Sequence, residues 1–312
     1  MDNLDRLILG ELAAQCRVSF SKLAEKHNVS LNTIKNRVEA LVEHGVIHRF
    51  VVQLPLERLQ ASFAVLLLDI ESNTRKEDIA SLGEHPFIMA MGLGYELRGF
   101  AVAVYRTNAE LSQAVDHLQA SDLVKGVQAL PMVGPPTTID TSSTKGLDAL
   151  KRVDWRIMKS LQFDGRKALG DVSAEAGASV PTIRKRLAFM RKHNLVSETI
   201  EINPAASEDD LIVMVRVESP AITQKEAYEL DVLFREQWPD EYWLSYRMAN
   251  RPELMMTFVV ESSKRVAALR REITELLEES EIAEQVIVPE WIFFPDFRNE
   301  IINESASGTS QI

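Results

Sequence analysis

Shifted by 149 residues, one part of the sequence lies over another without a gap. SLNTIKNRVEAL (30–41) falls on SVPTIRKRLAFM (179–190). Identities run well beyond that stretch: Asp5/Asp154, Ile8/Ile157, Leu12/Leu161, Arg17/Arg166, Ser30/Ser179, Thr33/Thr182, Ile34/Ile183, Arg37/Arg186, His44/His193 and Pro55/Pro204. Self-similarity at a fixed offset is the mark of a duplicated unit, so the chain is constrained to fold as two like halves. Its 312 residues are enough to give each half more than one cored domain. Between the copies, GPPTTIDTSSTKG (134–146) is rich in Pro, Thr, Ser and Gly and reads as a linker.

Each copy opens with a pattern for three helices and a strand. Leu4, Ile8 and Leu12 recur at four-residue spacing, as do Val153, Ile157 and Leu161, which places a buried stripe on a first helix. A second short helix is expected over about 19–27, and its counterpart over about 169–176. A turn at Asn28-Val29, or Gly177-Ala178, precedes Ser30 or Ser179, each standing where a helix N-cap belongs. Pro181 is compatible with a helix start, because first-turn N–H groups have no partner inside the helix. On the third helix Leu31, Ile34, Val38 and Leu41 share one face, as do Val180, Ile183, Leu187 and Met190. The other faces present Asn32, Thr33, Lys35, Asn36 and Arg37 in the first copy. In the second they present Pro181, Thr182, Arg184, Lys185 and Arg186. Gly45 or Asn194 ends the helix, and IHRFVVQLP or VSETIEINP continues as a strand. Two helices, a tight turn, a capped third helix and a β-wing describe a winged helix-turn-helix.

The remainder of each half alternates strand-like and helix-like pieces. In 61–133 these are ASFAVLLLDI, TRKEDIASLGEH, FIMAMGLGYEL, GFAVAVYRT, NAELSQAVDHLQ and VKGVQALPMV; 211–291 repeats the order. That order is βαββαβ, a ferredoxin-like sandwich with helices on one face of its sheet. VLLL and LIVMV are too apolar to leave the other face in water, so an apolar partner surface is required.

Charge is unevenly placed. The formal net charge of −11 divides into +1 for 1–59, −4 for 60–135, +4 for 136–204 and −12 for 205–312. Only the segments carrying the third helices escape the acidic bias, and local field decides whether a surface can approach phosphate. A helix fits the major groove, where Arg or Lys donates to guanine and Asn pairs with adenine. Ser and Thr hydroxyls near its N-terminus reach phosphates. The competing reading is a solvated amphipathic helix, which two matching caps and a cationic bias in an acidic chain argue against. The residues assigned to double-stranded DNA are therefore Ser30, Asn32, Thr33, Lys35, Asn36 and Arg37, with Ser179, Thr182, Arg184, Lys185 and Arg186.

Other chemistries find little support. Cys16 is the sole cysteine, which excludes an intrachain disulfide or thiolate cluster. The histidines lack companions at metal spacing, and no glycine loop carries a phosphate-binding Lys. No apolar run is long enough to span a bilayer, and MDNLDR does not read as a signal peptide, so a cytoplasmic protein is expected. We read no catalytic constellation and expect neither cofactor nor metal.

LDRLILGEL followed by SFSKLAEKHNVSLNTIKNRVEALVEHGVI, with a strand ending in Pro and then a βαββαβ domain, resembles the Lrp/AsnC transcription regulators. The chain is similar to two such units in tandem. The resemblance implies a DNA-binding, non-enzymatic regulator. Its α+β domains would mediate assembly into at least a dimer and bind a small effector such as an amino acid. The family's glycine-bearing loop corresponds here to GLGYELRG, which assigns Gly92, Gly94 and Glu96 to the effector; MANRPEL in the second half has no such glycine. Sirohaem decarboxylases resemble the same layout and sometimes occur as fused pairs, but carry a His-Asn-Tyr-like stretch in the second strand of the α+β domain. FIMAMGLGYELRG and EYWLSYRMANRP have tyrosines and no His there, which argues against decarboxylation. A ligand sensor or structural protein whose helix-turn-helix units only pack is the remaining alternative, kept open by Glu39 and Glu43 beside the first recognition helix.

The expected architecture is α+β, with two winged helix-turn-helix domains (1–59 and 148–204) alternating with two ferredoxin-like domains (60–135 and 205–295). A linker spans 136–147, and 296–312 is expected to be a flexible C-terminal tail.

Overall fold

A computed structural model describes the chain except for residues 72–73, 95–97, 134–144, 204–205, 207–209, 219–222, 278–280, 289 and 309–312. The first half opens with α1 (Asn3–Ala14), α2 (Phe20–Lys26), α3 (Leu31–Glu43) and the wing strand β1 (Ile47–Gln53). It continues through β2 (Ser62–Ile70), α4 (Lys76–Leu82), β3 (Ile88–Leu93), β4 (Arg98–Tyr105), α5 (Asn108–Gln119) and β5 (Val124–Val133). The second half repeats the order. It has α6 (Arg152–Leu161), α7 (Leu169–Ala176), α8 (Val180–Lys192) and β6 (Ser197–Ile202), then β7 (Leu211–Glu218) and α9 (Gln224–Gln237). After these come β8 (Tyr242–Met248), β9 (Glu253–Val260), α10 (Ser263–Leu276) and β10 (Glu281–Val288). Two further elements, β11 (Glu290–Phe293) and α11 (Phe297–Ser307), close the chain.

These elements gather into two compact units. One holds both helix-turn-helix domains and the C-terminal helix, residues 1–60, 138–202 and 295–312; the other holds both α+β domains, 61–137 and 203–294. Domains that alternate in sequence are thus sorted by kind in space.

In the helix-turn-helix unit the turn chemistry recurs at the 149-residue offset. Asn28 and Gly177 have φ of 53° and 64°, while Gly45 and Asn194 have φ of 75° and 48°. Both positions are left-handed in both copies, and Asn or Gly, the residues that adopt this conformation at least cost, stands at each. The wings pair with each other: β1 and β6 form an antiparallel two-stranded sheet. Val52 and Leu54, at the end of the first wing, are buried in the core of the second domain with Trp155, Ile157, Leu161, Ile183, Leu187 and Met190.

The C-terminal segment departs from the expected flexible tail. Residues 297–307 are helical, and Ile302 and Ala306 are buried in the second helix-turn-helix core. Asp296 caps α11 through the Arg298 N–H, at 2.9 Å, and its carboxylate also pairs with the buried Arg298 guanidinium. Gln162, itself buried, bridges to Asn299 and Asn303, each at 3.1 Å. The apolar stripe of this helix is short and its docking partly polar, so hydrophobic periodicity alone does not reveal it.

In the α+β unit one sheet runs β10-β7-β9-β8-β5-β2-β4-β3-β11. Each half of that order is the 4-1-3-2 arrangement of a ferredoxin-like domain. They join where Met132 and Val133 of β5 pair with Met248 and Arg247 of β8. Beyond β10, the last strand of the expected βαββαβ order, β11 pairs with β3 on the far edge of the first domain. One strand face of the second domain meets its helices through Val213, Val215, Leu254, Met256 and Phe258. The other faces of the two domains share a single core: Val65, Leu67, Phe100, Leu130 and Met132 with Ile212, Met214, Met248, Met255, Val286 and Val288. The apolar faces that raised the expectation of at least a dimer are therefore covered within one chain.

Candidate nucleic-acid interface

The third helices begin as their caps dictate. Ser30 Oγ accepts the Thr33 N–H at 3.0 Å and lies 2.8 Å from the Thr33 hydroxyl; Ser179 Oγ accepts the Thr182 N–H at 3.4 Å and lies 2.9 Å from the Thr182 hydroxyl. Each serine thus satisfies one orphan first-turn donor, and both hydroxyl pairs face solvent. Ile34, Val38 and Leu41 are buried beneath α3, and Ile183, Leu187 and Met190 beneath α8. Leu31, expected on the inner face, is exposed, because the first helical residue lies beyond the edge of that core.

The outer faces carry the expected polar surface, with one division. Asn32, Lys35 and Asn36 on α3, and Arg184 and Lys185 on α8, are exposed. Among the described residues Lys35, Arg184 and Lys185 have no ion-pair partner. Arg37 and Arg186 are engaged within the protein. Arg37 reaches Asp2 at 2.7 Å and Asp5 at 3.2 Å. Arg186 is forked onto Asp154, with Nε to Oδ1 at 2.6 Å, and Asp154 is fully buried. That hydrogen bond holds the Arg186 guanidinium pKa above its ordinary value. Asp5 and Asp154 also cap the first helices, accepting the N–H of Asp2 at 3.1 Å and of Lys151 at 2.6 Å. One carboxylate thus fixes the start of the first helix and ties the third helix to it. The signal was in the repeat: both pairs are identical between copies and both are 32 residues apart.

A second pair of arginines, read only as repeat identities, joins the two domains. Arg17 donates to the carbonyls of Gly165 at 2.6 Å and Lys167 at 3.1 Å; Arg166 donates to those of Cys16 at 2.6 Å and Val18 at 3.2 Å. Gly165 is needed there, since a Cβ would stand 2.9 Å from Cys16 Sγ and 3.0 Å from the Val51 nitrogen. Burial pushes the Cys16 thiol up to about 12, so it sits in this joint as a small neutral side chain. Arg58, just beyond the first wing, donates to the carbonyls of His193 and Asn194 at 3.0 and 2.9 Å and satisfies the C-terminal end of α8.

Of the residues assigned to an effector, Gly92 and Gly94 are described. Gly92 lies on β3 between Phe100 of β4 and Trp291 of β11. A Cβ on Gly94 would stand 2.8 Å from the Arg98 carbonyl oxygen and 2.9 Å from that of Ile287. A side chain at Gly94 would therefore meet backbone, which requires glycine there. Glu96 lies outside the described residues.

Comparison with known proteins agrees with this geometry. Residues 1–42, within the first of the two heads, match the AsnC-type helix-turn-helix domain. An uncharacterized HTH-type transcriptional regulator of Pyrococcus furiosus is 44% identical over 59 residues, 19% of this chain and 40% of the relative. A second, from Pyrococcus horikoshii, is 30% identical over 94 residues, 30% of this chain and 60% of the relative. The chain thus spans about two fifths to three fifths of the length of these relatives. Among solved structures the siroheme decarboxylase NirDL matches along 98% of this chain and 99% of its own, with a TM-score of 0.57 and 11% identity. That likeness shows the fold: two helix-turn-helix and two α+β domains on one chain form an architecture found in another protein.

Proposed function

We propose that the chain is a DNA-binding transcription regulator of Lrp/AsnC type whose two third helices meet duplex DNA. The observation that carries this is the pair of capped third helices. Each exposes a cation with no ion-pair partner among the described residues at the same position, Lys35 on one and Arg184 on the other, with Lys185 beside Arg184, in an otherwise acidic protein. The AsnC-type match over the first head and the regulators it resembles support the same reading. Arg37 and Arg186 are assigned to holding the helices rather than to DNA. An amino-acid effector at Gly92, Gly94 and Glu96 is not part of the proposal.

The test is a salt titration of duplex binding, followed by fluorescence anisotropy. Arg184→Ala with Lys185→Ala removes two cations from the DNA-facing surface, so the log–log slope should fall by up to about two units. An unchanged slope shows that these side chains do not meet DNA.

One observation favours a second reading, the full-length fold match to a siroheme decarboxylase that is also known in complex with an iron-uroporphyrin III analogue. Adding iron-uroporphyrin III to the purified chain distinguishes the two. A shifted, saturable haem absorption band supports the decarboxylase reading, and an unshifted one supports the regulator.

A further inference from the structure

We propose that a single chain reads an inverted but non-palindromic DNA site, with α3 on an adenine-bearing half and α8 on a guanine-bearing half. The inference rests on the DNA-binding reading above and adds to it the symmetry and composition of the site.

The symmetry follows from the wings. Phe50 pairs with Ile200 and Val51 with Thr199. At the 149-residue offset Phe50 corresponds to Thr199 and Val51 to Ile200, so each pair maps onto the other. Two equivalent strands paired antiparallel in this way are related by a local twofold axis passing between those pairs. The arginine joint obeys the same axis. Arg17 and Arg166 are equivalent, and the carbonyls they bind, Gly165 and Lys167 against Cys16 and Val18, are equivalent too. Reading heads related by a twofold axis address half-sites in inverted orientation.

The asymmetry follows from which residues the copies share. Shared residues are the structural ones: the Asp–Arg ties, the capping serines, Ile34 and Ile183, and the joint arginines. Beyond the shared Ser–Thr caps, exposed positions of the two helices differ, Asn32 against Pro181, Lys35 against Arg184, Asn36 against Lys185, Glu39 against Ala188 and Glu43 against Lys192. Asn can make a bidentate pair with adenine, whereas Arg and Lys donate to guanine O6 and N7. Two identical chains would be obliged to read a palindrome. Two heads fixed on one chain are not, and these present different donors and acceptors.

The experiment is selection of bound duplexes from a randomised library by the full-length chain, followed by sequencing. The expected result is one enriched site with two inverted, dissimilar halves. Asn32→Ala with Asn36→Ala should relax one half by about tenfold, and Arg184→Ala with Lys185→Ala the other. All four side chains are exposed, so these variants keep the fold. A palindrome, a direct repeat, or both variants acting on the same half would overturn this inference and leave DNA binding standing. Failure to enrich any duplex would overturn the DNA reading and this inference with it.

Discussion

At the scale of single residues, two of the arginines assigned to DNA in the sequence, Arg37 and Arg186, are ion-paired within the protein. Arg186 neutralises a buried carboxylate that also caps α6, and its side chain is only 15% exposed. Removing one partner of such a pair leaves a buried charge without compensation. Arg186→Ala should therefore cost about 3 kcal/mol of folding stability, whereas Arg184→Ala should change it by less than about 0.5 kcal/mol. Urea denaturation of both variants checks this, and equal midpoints would show that the Asp154 tie contributes little. Charge type and spacing on a helix do not separate these roles. What separates them is the acidic partner 32 residues earlier, which only the retained Asp5/Asp154 identity reveals.

Single elements were legible wherever local chemistry decides them. Caps and apolar spacing located the second helices to within a residue and the starts of the third helices at Ser30 and Ser179. Strand composition located the four strands of each α+β domain. The elements that were missed depend on distant partners. β11 exists because the β3 edge accepts it, and α11 because Gln162, Ile302 and Ala306 meet on α6. Another feature invisible in sequence lies beside α5 of the first α+β domain, where the His85 and His117 rings stand 4.7 Å apart. His85 Nδ1 accepts the Phe87 N–H at 3.3 Å, and His117 Nε2 donates to the Leu82 carbonyl at 3.0 Å. Burial, and secondarily the neighbouring His117, lower the His85 pKa below 6.5. Its contribution to stability is then complete above about pH 6.5 and is lost as pH falls through the lowered folded value. Melting temperatures between pH 7.5 and 5.5 should fall more steeply for the wild type than for His85→Gln. Parallel curves would show that the pair does not titrate in this way.

At the scale of the whole molecule, a duplication lets one chain supply what a pair of chains would otherwise provide. The wings pair with each other, and the strand faces of both α+β domains bury each other's Val, Leu and Met side chains. The order of domains was legible in the sequence, but this pairing was not, because an apolar strand face reads the same whether its partner lies on another chain or 150 residues away. Multi-angle light scattering at micromolar concentration should therefore return a 35.1 kDa monomer. A stable dimer would show that further surfaces beyond the paired sheets associate.

The central claim, that the paired third helices bind specific duplex sites, is tested most directly by mapping the tagged protein across its own genome. The account predicts discrete enriched sites sharing one asymmetric inverted motif, and their loss in the Arg184→Ala, Lys185→Ala variant. Uniform coverage that the variant leaves unchanged would contradict it.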